Sequence, residues 1–588
     1  MRKWKSFLLV AAVAYSATPG VALAGGFEHG AAGTRALGRG GAYAARSDDP
    51  TAMMYDPANL AALPGMQLTL NANIDFYSSC FQRTGRPGAY LDGGPGTTHV
   101  PDGLSTDERA AAVQAANRAG FDTRASGGTY GGVDVPSRFG NSFAAPVQGS
   151  VAEEQARIDA GGGHRRVCNS GPPGVIPELL FTWRIRKDLG IGIGLLADNA
   201  AGNTRFGRAS DGTIAYDGPG SVDGRIPSPG RYNLIEQKLV IAFPSISVGY
   251  AIHPRFRVGV TFGSGFGIFD FTSMTRGTRG EEYGQDIYTK LHAVDAFIPR
   301  VTVSLHAVPV DSLDLVASFM WQDDVRATGN VNLEGTFYDD TFNATELHRT
   351  DGIRRVSGAT LEAPQPWRAT VGIRYADRIA PRPEDPSAVS RLSGRIEDPM
   401  SNERWDIEFD ATYEMNSRVD QFTVTIPNLP GMPGIRPDLQ VANAGTPLPL
   451  PNNSYLEHQW QDQLRLSLGG DYNVIPGLAA LRAGVSYETS GLKRGYTQLD
   501  FIPGERLGLY GGLTVRIGRV DVSLAYSHIF QRSETVTEAD ASVVQTVALD
   551  QAAIDSGDAS GRQHTNVNAG RYTASYDIAS LAVNYHFQ

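Results

Sequence analysis

The chain has 588 residues, only two of them cysteines, with a formal charge of −10 and a mean hydropathy of −0.23. The acidic balance argues against nucleic acid as a partner, because gripping a phosphate backbone needs a basic face. Beyond the first two dozen residues no window is long and apolar enough for a membrane helix. That leaves a soluble exported protein or a β-barrel, whose alternating strands never look hydrophobic on average.

The first residues read as an export signal. Arg2, Lys3 and Lys5 precede a short apolar run, Phe7 to Ala14, and Ala22-Leu23-Ala24 supplies small residues for cleavage. Residues 1–24 are therefore expected to be removed, with Gly25 as the mature start. Residues 25–63 (GGFEHGAAGTRALGRGGAYAARSDDPTAMMYDPANLAAL) do not alternate, and so many small residues ahead of the first strand fit either a disordered stretch or a compact plug.

From residue 64 to 588 the chain alternates apolar with polar or small residues. Candidate strands lie near 66–77, 175–186, 189–201, 235–251, 254–270, 293–307, 311–328, 367–377, 404–417, 459–474, 478–489, 507–517, 519–531 and 572–587. In 404–417, Trp405, Ile407, Phe409, Ala411, Tyr413 and Met415 share one face, with Asp406, Glu408, Asp410 and Glu414 on the other. Tight turns such as 186–188 and 518–519 alternate with long connections at 78–174, 202–234, 271–292, 329–366, 418–458, 490–506 and 532–571. An even number of strands, about fourteen, joined alternately by short turns and long loops predicts an all-β, antiparallel, up-and-down transmembrane barrel. The connection 378–403 is long where a short turn belongs, so it is either a misread strand pair or an insertion.

The longest loop, 78–174, carries capping boxes at Ser105–Glu108 and Ser150–Glu153, with Cys80 and Cys168 at its feet. An even cysteine count in an exported chain favours a disulfide between them. Neither cysteine sits in a metal-ligand spacing, and no GxSxG, HExxH or Walker loop occurs, so neither cofactor nor enzyme activity is expected. Gly263–Gly267 superficially looks like a phosphate loop but falls inside a strand pattern.

The 25–63 segment resembles the N-terminal hatch of the FadL/TodX (OmpP1) family, outer-membrane transporters of long-chain fatty acids and other hydrophobic compounds. The matching pieces are Gly26-Phe27, Leu37-Gly38-Arg39-Gly40, Asp48-Asp49 and Asp56-Pro57-Ala58, the last departing from the family's Asn-Pro-Ala. Residues 464–472, 481–488, 505–518 and 520–530 are similar to the family's last strands, while the final Gln588 is a departure, the aromatic Phe587 being penultimate. The resemblance implies a monomeric fourteen-stranded barrel in the bacterial outer membrane, inserted by the barrel assembly machinery among membrane lipid and lipopolysaccharide. It implies a hydrophobic small-molecule ligand and a hatch, with Phe27 reaching toward the ligand. It also implies lateral release at a kinked third strand, here the run Ala197-Asp198-Asn199-Ala200-Ala201-Gly202.

Should the cargo carry a carboxylate, Arg368, Arg374, Arg465, Arg482 and Arg516 are inward arginines able to hold it, although lumenal ion pairs with the acidic ladder are the plainer reading. Fatty acids are the default cargo, with aromatic or alkane hydrocarbons as the alternative. A barrel-anchored adhesin and a polar-solute porin are the competing readings.

Overall fold

The computed structural model describes residues 30–84, 129–130, 133–134, 164–197, 203–216, 225–275, 287–335, 354–382, 398–427, 453–543 and 566–587. Every barrel ladder in it is antiparallel. In chain order the strands are β1 (Met66–Arg83), β2 (Gly174–Arg186), β3 (Leu189–Leu196, resuming at Asn203–Arg205), β4 (Glu236–His253) and β5 (Phe256–Thr275). Next come β6 (Ile287–Val310), β7 (Leu313–Gln322 and Val325–Gly335), β8 (Arg354–Ala363 and Arg368–Arg378) and β9 (Glu403–Glu414 and Gln421–Thr425). The last are β10 (Asn453–Glu457 and Gln463–Ile475), β11 (Ala479–Glu488), β12 (Arg506–Ile517), β13 (Val520–Gln531, then Glu534–Val536) and β14 (Gly570–His586). Each pairs with its neighbour, and β1 pairs with β14 from Gln67↔His586 to Arg83↔Gly570, which closes the sheet into a fourteen-stranded barrel without an edge.

Each strand falls on one of the fourteen stretches read from the sequence, but many run further toward the long loops. β1 continues to Arg83, β6 begins at Ile287, and β7, β8, β9 and β10 resume beyond short interruptions. The expected loops are shorter by the same amount. Those upper segments are bonded across the ladder yet have few large apolar residues outside, so they lack the alternation that betrays a membrane strand. The connection 378–403 is an insertion: β8 and β9 pair directly from Arg368↔Glu414 to Arg378↔Glu403, leaving no room for a missed pair. Gly263–Gly267 lies within β5.

The outer surface is apolar. Ile246, Val248, Val303, Leu305, Val371, Ile373, Leu507 and Leu509 are exposed, while their strand neighbours Ser245, Ser247, Thr302, Ser304 and Arg374 are buried inside. Aromatic side chains gather outside at both ends of this band. Trp183, Tyr375, Trp405, Tyr472 and Tyr585 stand near the turns, and Tyr413, Tyr487, Tyr526 and Phe530 near the loops. An apolar band between two aromatic girdles is the surface a barrel presents to a bilayer. The breaks in β7 to β10 fall at the loop-side girdle, where side chains satisfy the backbone: Asp324 Oδ1 accepts from the Gln365 N–H at 3.0 Å and Asp462 Oδ1 from Ser417 N–H at 2.9 Å.

Cys80 on β1 stands opposite Cys168 in a short strand, Arg166–Cys168, above β2, and the two form a disulfide. It ties together the feet of the connection that follows β1. The capping boxes at 105–108 and 150–153 lie outside the described residues, as do the leader at 1–24 and Gln588.

Candidate functional site

The inner wall changes character along the barrel. In the half nearest the long loops it is apolar: Leu239, Ile241 and Phe243 on β4, Phe269 on β5 and Leu291 and Ile298 on β6 are buried. So are Val331, Leu333, Leu361 and Phe422 on later strands and Trp460 in the break of β10. In the half nearest the turns it is charged, with Arg257, His306, Asp314, Arg374, Glu403, Asp406, Glu408, Asp410, Asp471, Arg482, Arg516 and Asp521 pointing inward.

Residues 30–63 fill this charged half. They form two short helices, α1 (Thr34–Gly38) and α2 (Ala52–Tyr55), and a 3-10 turn (Pro57–Ala61), almost entirely buried. Arg39 donates to Asp406 and Glu408, each at 2.9 Å, and to Asp471 at 2.6 Å, with its side chain sealed from solvent. Arg35 reaches Asp521 at 2.9 Å and Asp48 at 3.1 Å; Arg46 reaches Asp406 at 3.0 Å. Burial works to raise the Asp48 carboxyl, but Arg46 and Arg35 outweigh it and hold it far below the ordinary carboxylate range, so this acid stays ionised. Consecutive N–H groups then grip the acidic ladder: Tyr43 and Ala44 donate to Asp410 Oδ2 at 2.9 Å, and Ala45 donates to Glu408 at 2.6 Å.

Inward glycines receive the segment's backbone. A Cβ built on Gly469 or Gly484 would stand 2.1 or 2.3 Å from the Arg39 carbonyl oxygen. One on Gly249 would stand 2.4 Å from the Pro57 carbonyl oxygen, and one on Gly259 2.1 Å from Ala58 N. No side chain fits there. These glycines were missed in the sequence, although a glycine inside a strand is a known mark of close backbone approach.

Of the residues singled out in the sequence, Leu37 packs with Tyr510, Ile529, Tyr576 and Ile578, and Gly38 lies against Gly512. Asp56 faces His306 Nδ1 at 2.7 Å, whose Nε2 faces Asp314 at 3.1 Å. The acid thus serves as an acceptor where the family's Asn would offer an amide. Pro57 starts the 3-10 turn, and Ala58 N–H donates to Ser304 Oγ at 2.9 Å. Phe27, Asp198, Asn199, Ala200 and Gly202 lie outside the described residues.

Ala197 is buried beside Ile176, at the point where β3 stops. The ladder to β4 ends at Leu196↔Phe243 and resumes at Asn203↔Lys238. On the other side β2 pairs with β1 up to Gly174 but with β3 only as far as Leu179. Among the described residues, β3 therefore pairs with neither neighbour between Leu196 and Asn203.

The inward arginines divide. Arg374 binds Asp314, Glu403 and Asp406; Arg465 binds Glu488; Arg482 binds Asp471; and Arg516 binds Asp398 and Asp521. Among their contacts, Arg368 and Arg300 both donate to the Met320 sulfur, and the Arg300 guanidinium lies 3.6 Å from the centre of the Phe243 ring. With Met54, Leu196, Ser245 and Thr261, these two arginines line a small cleft at the boundary between the apolar and charged halves.

This geometry is that of a transmembrane β-barrel of the bacterial outer membrane, with its lower lumen occupied. Residues 393–587 match the family model described as outer membrane protein transport protein (OMPP1/FadL/TodX). The chain is an outer-membrane barrel, and that match covers roughly its last third. No curated relative matches it by sequence. In fold it is similar to a Pseudomonas aeruginosa FadL homologue, with TM-score 0.58 and 14% identity, covering 96% of this chain and 100% of that one. It is likewise similar to the P. putida toluene transporter TodX, with TM-score 0.52 and 13% identity, covering 96% and 99% respectively.

Proposed function

We propose that the protein takes up hydrophobic small molecules, long-chain fatty acids first among them, through the apolar upper lumen. The N-terminal segment acts as a hatch, and release is sideways at the interruption of β3. The observation that carries this is the apolar inner wall of β4 to β10. A water-conducting porin has no use for such a surface, whereas an apolar solute gains about 25 cal/mol per Å² of surface it removes from water. Arg300 and Arg368, which line the small cleft between the two halves, would suit a cargo with an anionic head.

Native mass spectrometry with extraction of bound lipid tests the reading. Wild-type protein retains a long-chain fatty acid in preference to its methyl ester, and Arg300→Leu with Arg368→Leu abolishes the preference. Equal retention of acid, ester and toluene would move the cargo to hydrocarbons. An empty, freely conducting barrel would overturn uptake altogether.

A further inference from the structure

The apolar half of the inner wall contains two polar residues side by side. Thr204, on the segment where β3 resumes, stands level with Gln237 on β4. Lys238 is exposed on the outside, whereas Leu239 and Ile241 share the inner face with Gln237. Residues directly opposite in a ladder lie on one face, so Thr204 points inward too. The same inward row continues through Phe271, Leu291, Val331 and Val356, all apolar.

Both side chains are sealed, Gln237 at 0% and Thr204 at 1% exposure. Gln237 Oε1, Gln237 Nε2 and Thr204 Oγ1 all lack a hydrogen-bond partner among the described residues. Folding alone disfavours this arrangement, since a buried polar group left unpaired costs more than an apolar group of the same shape. The surroundings define which partner fits. No member of the row is charged, so an ion brought there would lie uncompensated. The carboxamide and the Thr204 hydroxyl can each donate and accept, which matches a neutral hydroxyl that does both. Phe271, next to Gln237 in the row, is only partly buried and packs against two apolar clusters, offering surface for a hydrocarbon chain beside the polar pair.

We infer, resting on the uptake reading above, that Thr204 and Gln237 bind a hydroxyl group on an otherwise apolar cargo, so that hydroxylated long-chain molecules are favoured over their plain counterparts. Thr204 directly follows the stretch between Leu196 and Asn203 where β3 is unpaired, so a molecule held there lies beside the proposed exit. A site built to pair with a hydroxyl rejects the analogue lacking one, because its own buried polar groups then stay unpaired.

Full-length protein in detergent, with folding verified by heat-modifiable gel mobility, is given equimolar pairs of a long-chain fatty acid and the same acid hydroxylated at successive positions along its chain. Bound lipid is read by native mass spectrometry. For at least one hydroxyl position wild type retains the hydroxy acid about tenfold over the plain acid, the worth of one or two buried hydrogen bonds. Gln237→Leu with Thr204→Val, which replaces the unpaired atoms with apolar ones of similar shape and so folds at least as stably, brings that ratio to about one. A wild-type ratio near one at every position would overturn the site and leave uptake standing, ordered water then being what satisfies the three atoms. A preference that survives in the double variant would overturn it as well. Retention of neither acid would overturn the uptake reading together with it.

Discussion

Arg39 shows how a single side chain commits the lumen. Its guanidinium is the shared partner of Asp406, Glu408 and Asp471, all sealed from solvent. Removing one member of a buried ionic cluster typically costs about 3–5 kcal/mol, because the remaining charges keep their desolvation penalty without their attraction. Arg39→Leu is therefore expected to lower the melting temperature and to turn a silent barrel into a conducting one in planar bilayers. An unchanged melt with silent bilayers would mean that Arg46, Arg374 and Arg482 neutralise the ladder alone. In the sequence, Arg39 and the alternating acids were both visible, but their meeting was not. They lie more than 360 positions apart, and only barrel closure brings them together. The reading of Arg374 as a lumenal ion-pair member was legible, since the acidic ladder sits on the adjacent strand.

Among the elements, the strands were the most legible, because a bilayer outside and a polar lumen inside impose a period of two that survives in the sequence. What escaped was their upper reach: above the girdle the outer face need not be apolar, and β1 and β6 continue on backbone pairing and on local packing such as Phe81 against Tyr572. The disulfide acts at this level. Joining Cys80 to Cys168 closes a separation of 88 residues, worth about 4–5 kcal/mol in the chain-entropy account of cross-links. The β1–β14 and β1–β2 ladders do not depend on it. Cys80→Ser with Cys168→Ser should leave the heat-modifiable barrel intact while making the connection after β1 markedly more sensitive to added protease. Loss of the folded barrel in that variant would show that the bridge secures the wall rather than the loop.

For the whole molecule, the even strand count and the rhythm of short turns and long loops pointed to the barrel before any coordinate did. The division of the inner wall into an apolar half and a charged half was hidden. It depends on which end of each strand faces which way, and an inward Leu239 and an inward Ser247 look alike until the strand is oriented. The interruption of β3 sits beside the boundary between the two halves, at Leu196.

The meeting of Arg35, Arg39 and Arg46 with acids drawn from β9, β10 and β13 also carries a schedule. The N-terminal segment emerges first during synthesis, yet Asp406, Asp471 and Asp521 belong to strands made near the end. Until those strands are in place its three cations have no neutralised berth in the barrel and belong in water. Insertion should thus run ahead of docking: in timed refolding into lipid, the compact gel form should appear before residues 30–63 become protected from protease. Protection arriving first would instead make the segment a template around which the wall is wound.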